Sequence, residues 1–354
     1  MVVEVVAAHK AQGVRRETRQ HLLLSALVAA LLLAIPVAAG MGAAHLPLRL
    51  LAESAGGIRQ LTPDEHEILF SIRLPRILAA ILVGSGLSVS GLLFQGLFRN
   101  PLADPYVIGS SGGALLGASL GVFLLPAVSI AGFGTTALLA FAGAAGAIAL
   151  VYWLACVDGK TPVVALLLAG FAVSTMLSYS SYFLEVMDNG FGSGMHVLSA
   201  WLHGTIVQPG WDQVAIVAAM IAVGYAGSIP LARKLNTLAL GEEYAMNLGV
   251  SVQRTRIAVI LIGSVLTAAA VALGGLISFT GLIVPHILRM ILGPDHARLL
   301  PATALGGALF LLVADTAART VIAPAELPVG VLTAFIGGPF FLYLLRKARK
   351  EVLL

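Results

Sequence analysis

Residues 105–157, PYVIGSSGGALLGASLGVFLLPAVSIAGFGTTALLAFAGAAGAIALVYWLACV, contain no aspartate, glutamate, lysine or arginine. A helix that crosses the hydrocarbon core of a bilayer needs about 20 consecutive apolar residues. The stretch is therefore long enough for two membrane spans, and the glycines from Gly132 to Gly134 predict a tight turn between them. This stretch indicates a helical membrane protein and excludes a soluble globular domain.

The rest of the chain has the same character. Of its 354 residues, 58% are hydrophobic and 11% are charged, against about 25% charged in an ordinary soluble domain. Further spans are predicted within residues 22–44, 77–98, 161–184, 213–232, 257–288 (two spans that reverse between Gly275 and Phe279), 299–321 and 327–345. The predicted fold is an all-α polytopic membrane protein with ten transmembrane helices. Residues 1–21 form a leader, 22–346 the membrane domain and 347–354 a tail.

The distribution of basic residues predicts the orientation in the membrane. With ten spans and the N-terminus in the cytosol, sixteen of the 21 lysines and arginines fall in cytosolic segments and five fall outside. Cytosolic loops of membrane proteins carry an excess of lysine and arginine. We therefore expect both termini in the cytosol.

Two charged residues lie in the ninth predicted span. Asp315 and Arg319 are four residues apart, so they share one helix face and can form an ion pair. An ionisable residue inside the membrane is costly and indicates a functional site unless a partner neutralises it. The sequence leaves open whether Asp315 is a structural partner of Arg319 or a mechanistic residue.

Glycine recurs every four residues in the third predicted span, at Gly109, Gly113, Gly117 and Gly121. These positions lie on one helix face, where small residues let the backbones of two helices approach closely. We therefore predict tight helix packing here rather than a direct contact with a substrate.

Residues 233–256, RKLNTLALGEEYAMNLGVSVQRTR, form a hydrophilic segment between two predicted spans. The segment is too polar to span the membrane, yet it is rich in Leu, Ala and Met. It predicts a pair of short amphipathic helices broken at Gly241 and Gly249. Such a surface suits the docking of another protein, and the alternative is a helix lying on the anionic inner leaflet.

A second hydrophilic segment, residues 46–76, is predicted on the outer side and ends in Arg-Leu-Pro-Arg. Arginines at a membrane boundary can reach the lipid headgroups. They can also form strong bidentate pairs with carboxylates. Arg73 and Arg76 are therefore candidates either for anchoring to lipid or for contact with an acidic external partner.

Several long motifs, in a fixed order, are similar to those of one known family. They are RLPRILAAILVGSGLSVSGLLFQGLFRNPLADPYVIGSSGGA (73–114), LALGEEYAMNLGV (238–250), GLISFTGLIVPHILRMILGPDHARLLP (275–301), ADTAAR (314–319) and AELPVGVLTAFIGGPFFLYLL (325–345). The chain from about residue 73 to 346, with less agreement over 187–211, resembles the FecCD-type permease subunits. These subunits belong to ABC importers for ferric siderophores, haem and cobalamin.

The resemblance implies partners as well as a fold. Permeases of this family have ten spans, form a homodimer or pseudodimer with the pathway at the interface, and bind two cytosolic ATPases and one external binding protein. The residues implied to meet the ATPase are Gly241, Glu242, Ala245 and Gly249. Those implied to receive acidic residues of the binding protein are Arg73, Arg76 and Arg319. For Arg319 this role competes with pairing to Asp315.

The resemblance also implies residues along the pathway. Ser110, Ser111 and Gly112 match the position where the family narrows its pathway beside the third span. The fifth span is implied to supply another gate with Thr175, Ser178, Ser181 and Tyr182. Met195 and His196, near the outer mouth, are candidates for contact with haem iron, and the alternative is ordinary lining.

The function implied is that of the permease subunit of an ATP-driven importer in the bacterial inner membrane. Its cargo would be a metal chelate, a ferric siderophore or haem in preference to cobalamin. We expect no catalytic residue, no metal site and no bound cofactor in this chain, with ATP and Mg on the separate ATPase, and no nucleic-acid partner. An ion-gradient-driven secondary transporter is the alternative, although such a carrier would bury several unpaired carboxylates, and only Asp315 qualifies. An enzyme would need a convergent catalytic set, which the sequence does not show.

Overall fold

The computed structural model describes residues 2–42, 46–157, 161–187, 193–206 and 208–352. Most of these residues are helical, and the strands among them form one short hairpin. The helices are α1 (Val2–Gly40), α2 (Leu48–Ala55), α3 (Pro63–Glu67), a π-helical turn (Ile68–Arg73), α4 (Leu74–Phe98), α5 (Ser110–Phe123), α6 (Thr135–Ala155), α7 (Val163–Met187), α8 (Ser193–Leu202), α9 (Trp211–Ala239), α10 (Glu242–Asn247), α11 (Val252–Gly274), α12 (Thr280–Leu292), α13 (His296–Thr320) and α14 (Val329–Val352).

In the part of the chain that the structure describes, seven helices are long and apolar enough to cross a membrane. They are Glu17–Gly40, Pro63–Phe98, Thr135–Ala155, Val163–Met187, Trp211–Ala239, Val252–Gly274 and His296–Thr320. Three shorter apolar helices, Ser110–Phe123, Thr280–Leu292 and Val329–Leu344, coincide with the third, eighth and tenth predicted spans. The helical membrane class is therefore confirmed, whereas ten full spans and cytosolic termini remain predictions.

Both predicted chain reversals are confirmed. Strands β1 (Ser129–Ile130) and β2 (Phe133–Gly134) pair antiparallel through a turn at Ala131 and Gly132, whose φ angles are 51° and 81°. The second reversal separates α11 from α12. There Gly275 and Phe279 both have positive φ, 65° and 68°, so the chain leaves one helix and enters the next without a straight connection.

The centre of the bundle is α4, which is buried along nearly its whole length and packs against α9, α11, α12 and α13. Glycines allow these close approaches. A Cβ atom at Gly91 would lie 1.8 Å from the carbonyl oxygen of Gly281, and one at Gly84 would lie 2.2 Å from that of Gly307. No side chain fits at these crossings, so α4 is the element on which the other spans are assembled.

The glycine face of α5 packs as predicted. A Cβ atom at Gly113 would lie 2.2 Å from the carbonyl oxygen of Gly143, and one at Gly117 would lie 1.9 Å from that of Leu139. Both contacts are with α6, the helix that follows the hairpin. The spacing of four therefore marks a helix-packing face, and α5 and α6 form a tightly joined pair.

The two ends of the chain differ from the expected division. Helix α1 begins at Val2, so residues assigned to the leader belong to the same helix as the first span. Helix α14 likewise continues to Val352, beyond the last apolar residues of the tenth predicted span. The boundaries at residues 21 and 346 are therefore not breaks in secondary structure, and the division into leader, domain and tail stays a prediction.

Candidate functional sites at the two ends of the bundle

A buried cluster of charges lies where α4 begins and α13 ends. Asp315 is 0% exposed, and its Oδ1 accepts hydrogen bonds from Nε and Nη2 of Arg76 at 3.2 and 3.0 Å. Its Oδ2 accepts a hydrogen bond from Nε of Arg319 at 3.0 Å. Both carboxylate oxygens are thus held by positive charge, which is the condition under which a buried ionised aspartate is tolerated.

Glu326, in the loop between α13 and α14, adds a second carboxylate to the cluster. Its Oε2 lies 2.7 Å from Nη1 of Arg76, and its side chain is 44% exposed. Arg76 therefore bridges a buried acid and a half-exposed one. Of the two, only Glu326 presents a carboxylate that an external partner can approach.

The C-terminal end of α1 is also joined to the cluster. Arg73 donates a hydrogen bond to the carbonyl of Ala39, and Nη1 of Arg319 donates to the carbonyl of Met41 at 3.3 Å. Gly42, with φ of 147°, follows immediately, and a Cβ atom there would lie 3.1 Å from Nη2 of Arg73. The guanidinium groups thus satisfy carbonyls at a helix end that would otherwise lack partners.

The predicted pair of Asp315 and Arg319 is confirmed, and Arg76 is a further partner that the sequence did not indicate. Arg73, Arg76 and Arg319 are only 4%, 7% and 5% exposed. Their guanidinium groups contact carboxylates and carbonyls of their own chain. Docking of an external protein on these arginines stays a prediction, and burial means that it would need the cluster to open.

The hydrophilic segment at the opposite end of the bundle has one short helix rather than two. The predicted breaks at Gly241 and Gly249 are confirmed by positive φ angles of 125° and 80°. The first predicted short helix is wrong, because residues 233–239 continue α9 without interruption. We call residues 233–256 the coupling segment; its centre is α10, between the end of α9 and the start of α11.

The coupling segment exposes apolar side chains. Four large apolar side chains are mostly exposed: Leu240 (68%), Tyr244 (68%), Met246 (57%) and Leu248 (66%). Ala245, by contrast, is 0% exposed and anchors α10 to its own chain, so its side chain has no free surface for another protein. Glu242 pairs with Arg256. A six-residue helix is too short for its periodicity to show which face is exposed, which is why the sequence did not single out these four residues.

The predicted gate residues of α5 connect that helix to α7. Oγ of Ser174 lies 3.3 Å from Oγ of Ser111 and accepts a hydrogen bond from the backbone nitrogen of Gly112 at 3.2 Å. Ser181 is buried and hydrogen-bonded to Ser119. Ser174 and Ser119 take part in these hydrogen bonds between α5 and α7, and the sequence did not indicate them. The serines join two helices, and their role as a gate stays a prediction.

The other predicted gate residues differ in exposure. Ser110 is 1% exposed, Thr175 and Ser178 are partly buried, and Tyr182 is 60% exposed. Tyr182 belongs to a broad exposed face of α7. The other large side chains on that face are Val164, Leu168, Phe171, Met176, Tyr179, Phe183 and Val186. Met195 and His196 lie in α8, and their side chains are outside the part of the chain that the structure describes.

Long apolar helices assembled around α4, with ionisable side chains buried among them, define a polytopic membrane protein. The model of the FecCD transport family matches residues 27–347. The chain therefore belongs to the FecCD transport family, and the resemblance seen in the sequence is confirmed.

Individual relatives agree with this family. The chain is 45% identical over 287 residues, 80% of its length and 75% of the relative, to the cobalamin import system permease protein BtuC of Halobacterium salinarum. It is 39% identical over 339 residues, 93% of its length and 97% of the relative, to the hemin transport system permease protein HmuU of Yersinia pestis. A solved ABC transporter assigned to the metal-chelate type, in an inward-facing conformation, matches with a TM-score of 0.79 and 31% identity, covering 93% of this chain and 99% of that one.

Proposed function

We propose that this chain is the membrane-spanning permease subunit of an ATP-driven importer for a metal chelate, located in a bacterial plasma membrane. Family membership supports the class, and one structural observation supports the mode of action: the polar coupling segment carries four exposed apolar side chains. Exposed apolar clusters rimmed by polar residues are typical of protein interaction sites.

The partner proposed for the coupling segment is a cytosolic ABC ATPase, which holds the ATP and Mg. Tyr244, Met246 and Leu248 provide the apolar contacts. Ala245 and the pair of Glu242 with Arg256 hold α10 in position from behind. The glycines at 241 and 249 allow the turns at either end of α10. We therefore assign Ala245 to shaping the docking surface, whereas Gly241, Glu242 and Gly249 remain at least partly exposed and stay candidates for contact with the ATPase.

A second copy of the chain is proposed to complete the pathway. The exposed face of α7 carries aromatic and aliphatic side chains, and α14 exposes Phe335 by 74% and Tyr343 by 64%. Ser111, Gly112 and Ser181 join α5 to α7, so a movement of α7 at the dimer interface would be passed on to α5. This arrangement supports a gate formed by α5 and α7 of both copies.

The proposed cargo is a metal chelate delivered by an external binding protein. The relatives are named for cobalamin and hemin systems, and their shared fold does not distinguish between these chelates. The alternative of an ion-gradient-driven carrier receives no support from Asp315, since two guanidinium groups neutralise this carboxylate. Such a carrier would need a carboxylate within a membrane span that is free to take up a proton. Asp104, which has no ion pair among the described residues, lies in the connection between α4 and α5 and not in a span.

The experiment is co-purification of the permease with a co-expressed candidate ABC ATPase from the same genome, followed by native mass spectrometry and an ATP hydrolysis assay. The expected result is a complex of two permeases and two ATPases whose hydrolysis rate rises when the external binding protein is added. Absence of any complex, with both proteins folded, would contradict the proposal.

A further inference from the structure

A cavity of about 600 Å³ opens between the first turns of the membrane part of α1, the end of α9 and the turn from α12 to α13. Its polar lining includes Arg19, Asn236, Asp295 and Arg298, and α12 supplies an apolar wall that includes Ile291. It is on the same side of the bundle as the coupling segment, which contributes Leu240 to the lining. The predicted orientation assigns this side to the cytosolic leaflet.

The charges in this cavity are incompletely neutralised. Arg19 is exposed and makes no ion pair or hydrogen bond with the residues described by the structure. The single carboxylate, Asp295, lies 3.4 Å from Nε of Arg298. It also accepts hydrogen bonds from Nδ2 of Asn236 at 2.6 Å and from the backbone nitrogen of Ala297 at 2.9 Å. The lining thus contains two arginines but one acid, which is paired with Arg298 and already accepts other hydrogen bonds, so the cavity favours an anion.

An apolar groove of about 450 Å³ continues from this cavity between α1, α12, α13 and α14. Ile291 lines both spaces. Leu23 and Leu27, which also line the groove, follow Arg19 at four and eight residues, so the three share one face of α1. The groove runs on past Val313 in α13, which is 53% exposed. A basic cavity therefore opens into a slot with an apolar lining at membrane depth.

We propose that the two spaces together hold one anionic glycerophospholipid, with its phosphate at Arg19 and Arg298 and an acyl chain in the groove. Basic pockets between transmembrane helices on the cytosolic side suit anionic headgroups. A second copy of the chain fits this surface less well, because it would bring the same uncompensated positive charge to the cavity. The bound lipid would tie α1 to α12 and α13 beside the coupling segment.

The test is native mass spectrometry of the full-length, delipidated permease in detergent, titrated with phosphatidylglycerol or with phosphatidylcholine of identical acyl chains. Arg19→Gln should lower the affinity for phosphatidylglycerol about fivefold, and Arg19→Gln with Arg298→Gln about thirtyfold, since each basic side chain contributes about 1 kcal/mol towards an anionic lipid. Both variants should lower the affinity for phosphatidylcholine by a smaller factor, because its choline group offsets the charge of the phosphate that the two lipids share. Arg233→Gln is the matched control, because Arg233 is exposed at the same end and does not line the cavity.

The groove is tested separately with Val313→Trp, which fills it from an exposed position. This variant should weaken the binding of both lipids. Adding Arg19→Gln to Val313→Trp should then cause little further loss of affinity. Equal binding of the two lipids by the wild type would overturn the proposal, as would full phosphatidylglycerol affinity in Arg19→Gln. Glycerol phosphate competing as well as the intact lipid would overturn the acyl-chain assignment. Loss of the permease dimer in Val313→Trp would show that a second copy covers the groove.

Discussion

The two ends of this bundle differ in which side chains they bury: one end buries charged side chains, and the other exposes apolar ones. At the outer end, five charged side chains, Arg73, Arg76, Asp315, Arg319 and Glu326, contact one another or nearby carbonyls, and four of them are buried. At the inner end, the coupling segment leaves large apolar side chains in water. The charged cluster is satisfied by its own chain, whereas the coupling segment is the surface for which we propose a partner. Substitutions should therefore act on stability at one end and on coupling at the other.

The largest effect is expected at Asp315. Asp315→Asn keeps the shape of the side chain but removes the charge that neutralises Arg76 and Arg319, and breaking a buried pair in this way costs about 3–5 kcal/mol. Thermal unfolding of the purified permease in detergent should show a large loss of stability.

The control for that experiment is Glu53→Gln, because Glu53 pairs with Arg49 at the same end but the arginine side chain is 88% exposed. An exposed pair contributes less than about 1 kcal/mol. Equal stability of the Asp315 and Glu53 variants would refute the view that the outer cluster stabilises the bundle.

A second aspartate, Asp104, is partly buried and has no ion-pair partner among the described residues, so it provides a contrast with Asp315. Asp104 lies between α4 and α5, and burial raises its pKa from 3.8 to about 6. Between these two pH values the folded state binds more protons than the unfolded state, so the free energy of unfolding falls as the pH rises. Above about pH 6 the penalty is constant.

Asp104→Asn removes this penalty and should still accept the hydrogen bond from the backbone nitrogen of Tyr106. The variant should therefore melt at a higher temperature than the wild type at pH 7, by an amount that shrinks as the pH falls towards 4. Melting curves across this range provide the measurement. A difference that is independent of pH would contradict the raised pKa.

At the inner end the prediction concerns coupling. Tyr244→Ser with Leu248→Ser should leave the melting temperature unchanged, because both side chains are mostly exposed, and should weaken ATPase binding about tenfold or more, as expected for central apolar contacts. Affinity for the ATPase and stimulation of hydrolysis are the readouts. Ile58→Ser, at a position that is 80% exposed at the outer end, is the control. Wild-type affinity in the double variant would remove the docking assignment.

The smallest effect is expected at Glu326. Glu326→Gln breaks a contact with Arg76 whose carboxylate is half exposed, so the loss of stability should be below about 1 kcal/mol. The same substitution leaves Nη1 of Arg76 without its acid. If a binding protein docks here through carboxylates, its affinity should rise, more at low salt than at high salt, since exposed charges are screened over about 8 Å at physiological ionic strength. Thermal unfolding measures the change in stability. Titrations of the permease with the binding protein at two salt concentrations measure the rise in affinity and its dependence on salt.

The sequence predicted the membrane class, the two reversals and the pairing of Asp315 with Arg319, because these depend on local signals: apolar length, glycine position and helix spacing. It did not predict that Arg76 shares Asp315, since the two residues lie 239 positions apart. Nor did it predict that residues 233–239 continue α9. Their polarity indicated a separate surface helix, yet a membrane helix can extend into water without a break.

The exposure of the coupling segment was predicted, but its individual contact residues were not. The family resemblance pointed to Gly241, Glu242, Ala245 and Gly249; of these Ala245 is buried, and contact of the four with an ATPase stays a prediction. Similarly, the resemblance pointed to outward arginines, whereas the structure buries them among their own acids and carbonyls. A motif identifies a region that matters, and only packing shows which of its side chains remain free.

The proposed function requires that ATP hydrolysis, acting through the coupling segment, drives import by this permease. The most direct test is uptake, into proteoliposomes that contain the permease and its ATPase, of the metal chelate that the binding protein holds, with the loaded binding protein outside and ATP inside. We expect uptake that needs ATP, is lost in Tyr244→Ser with Leu248→Ser, and is not restored by an imposed proton gradient. Uptake driven by the gradient without ATP, or unchanged in the double variant, would contradict it.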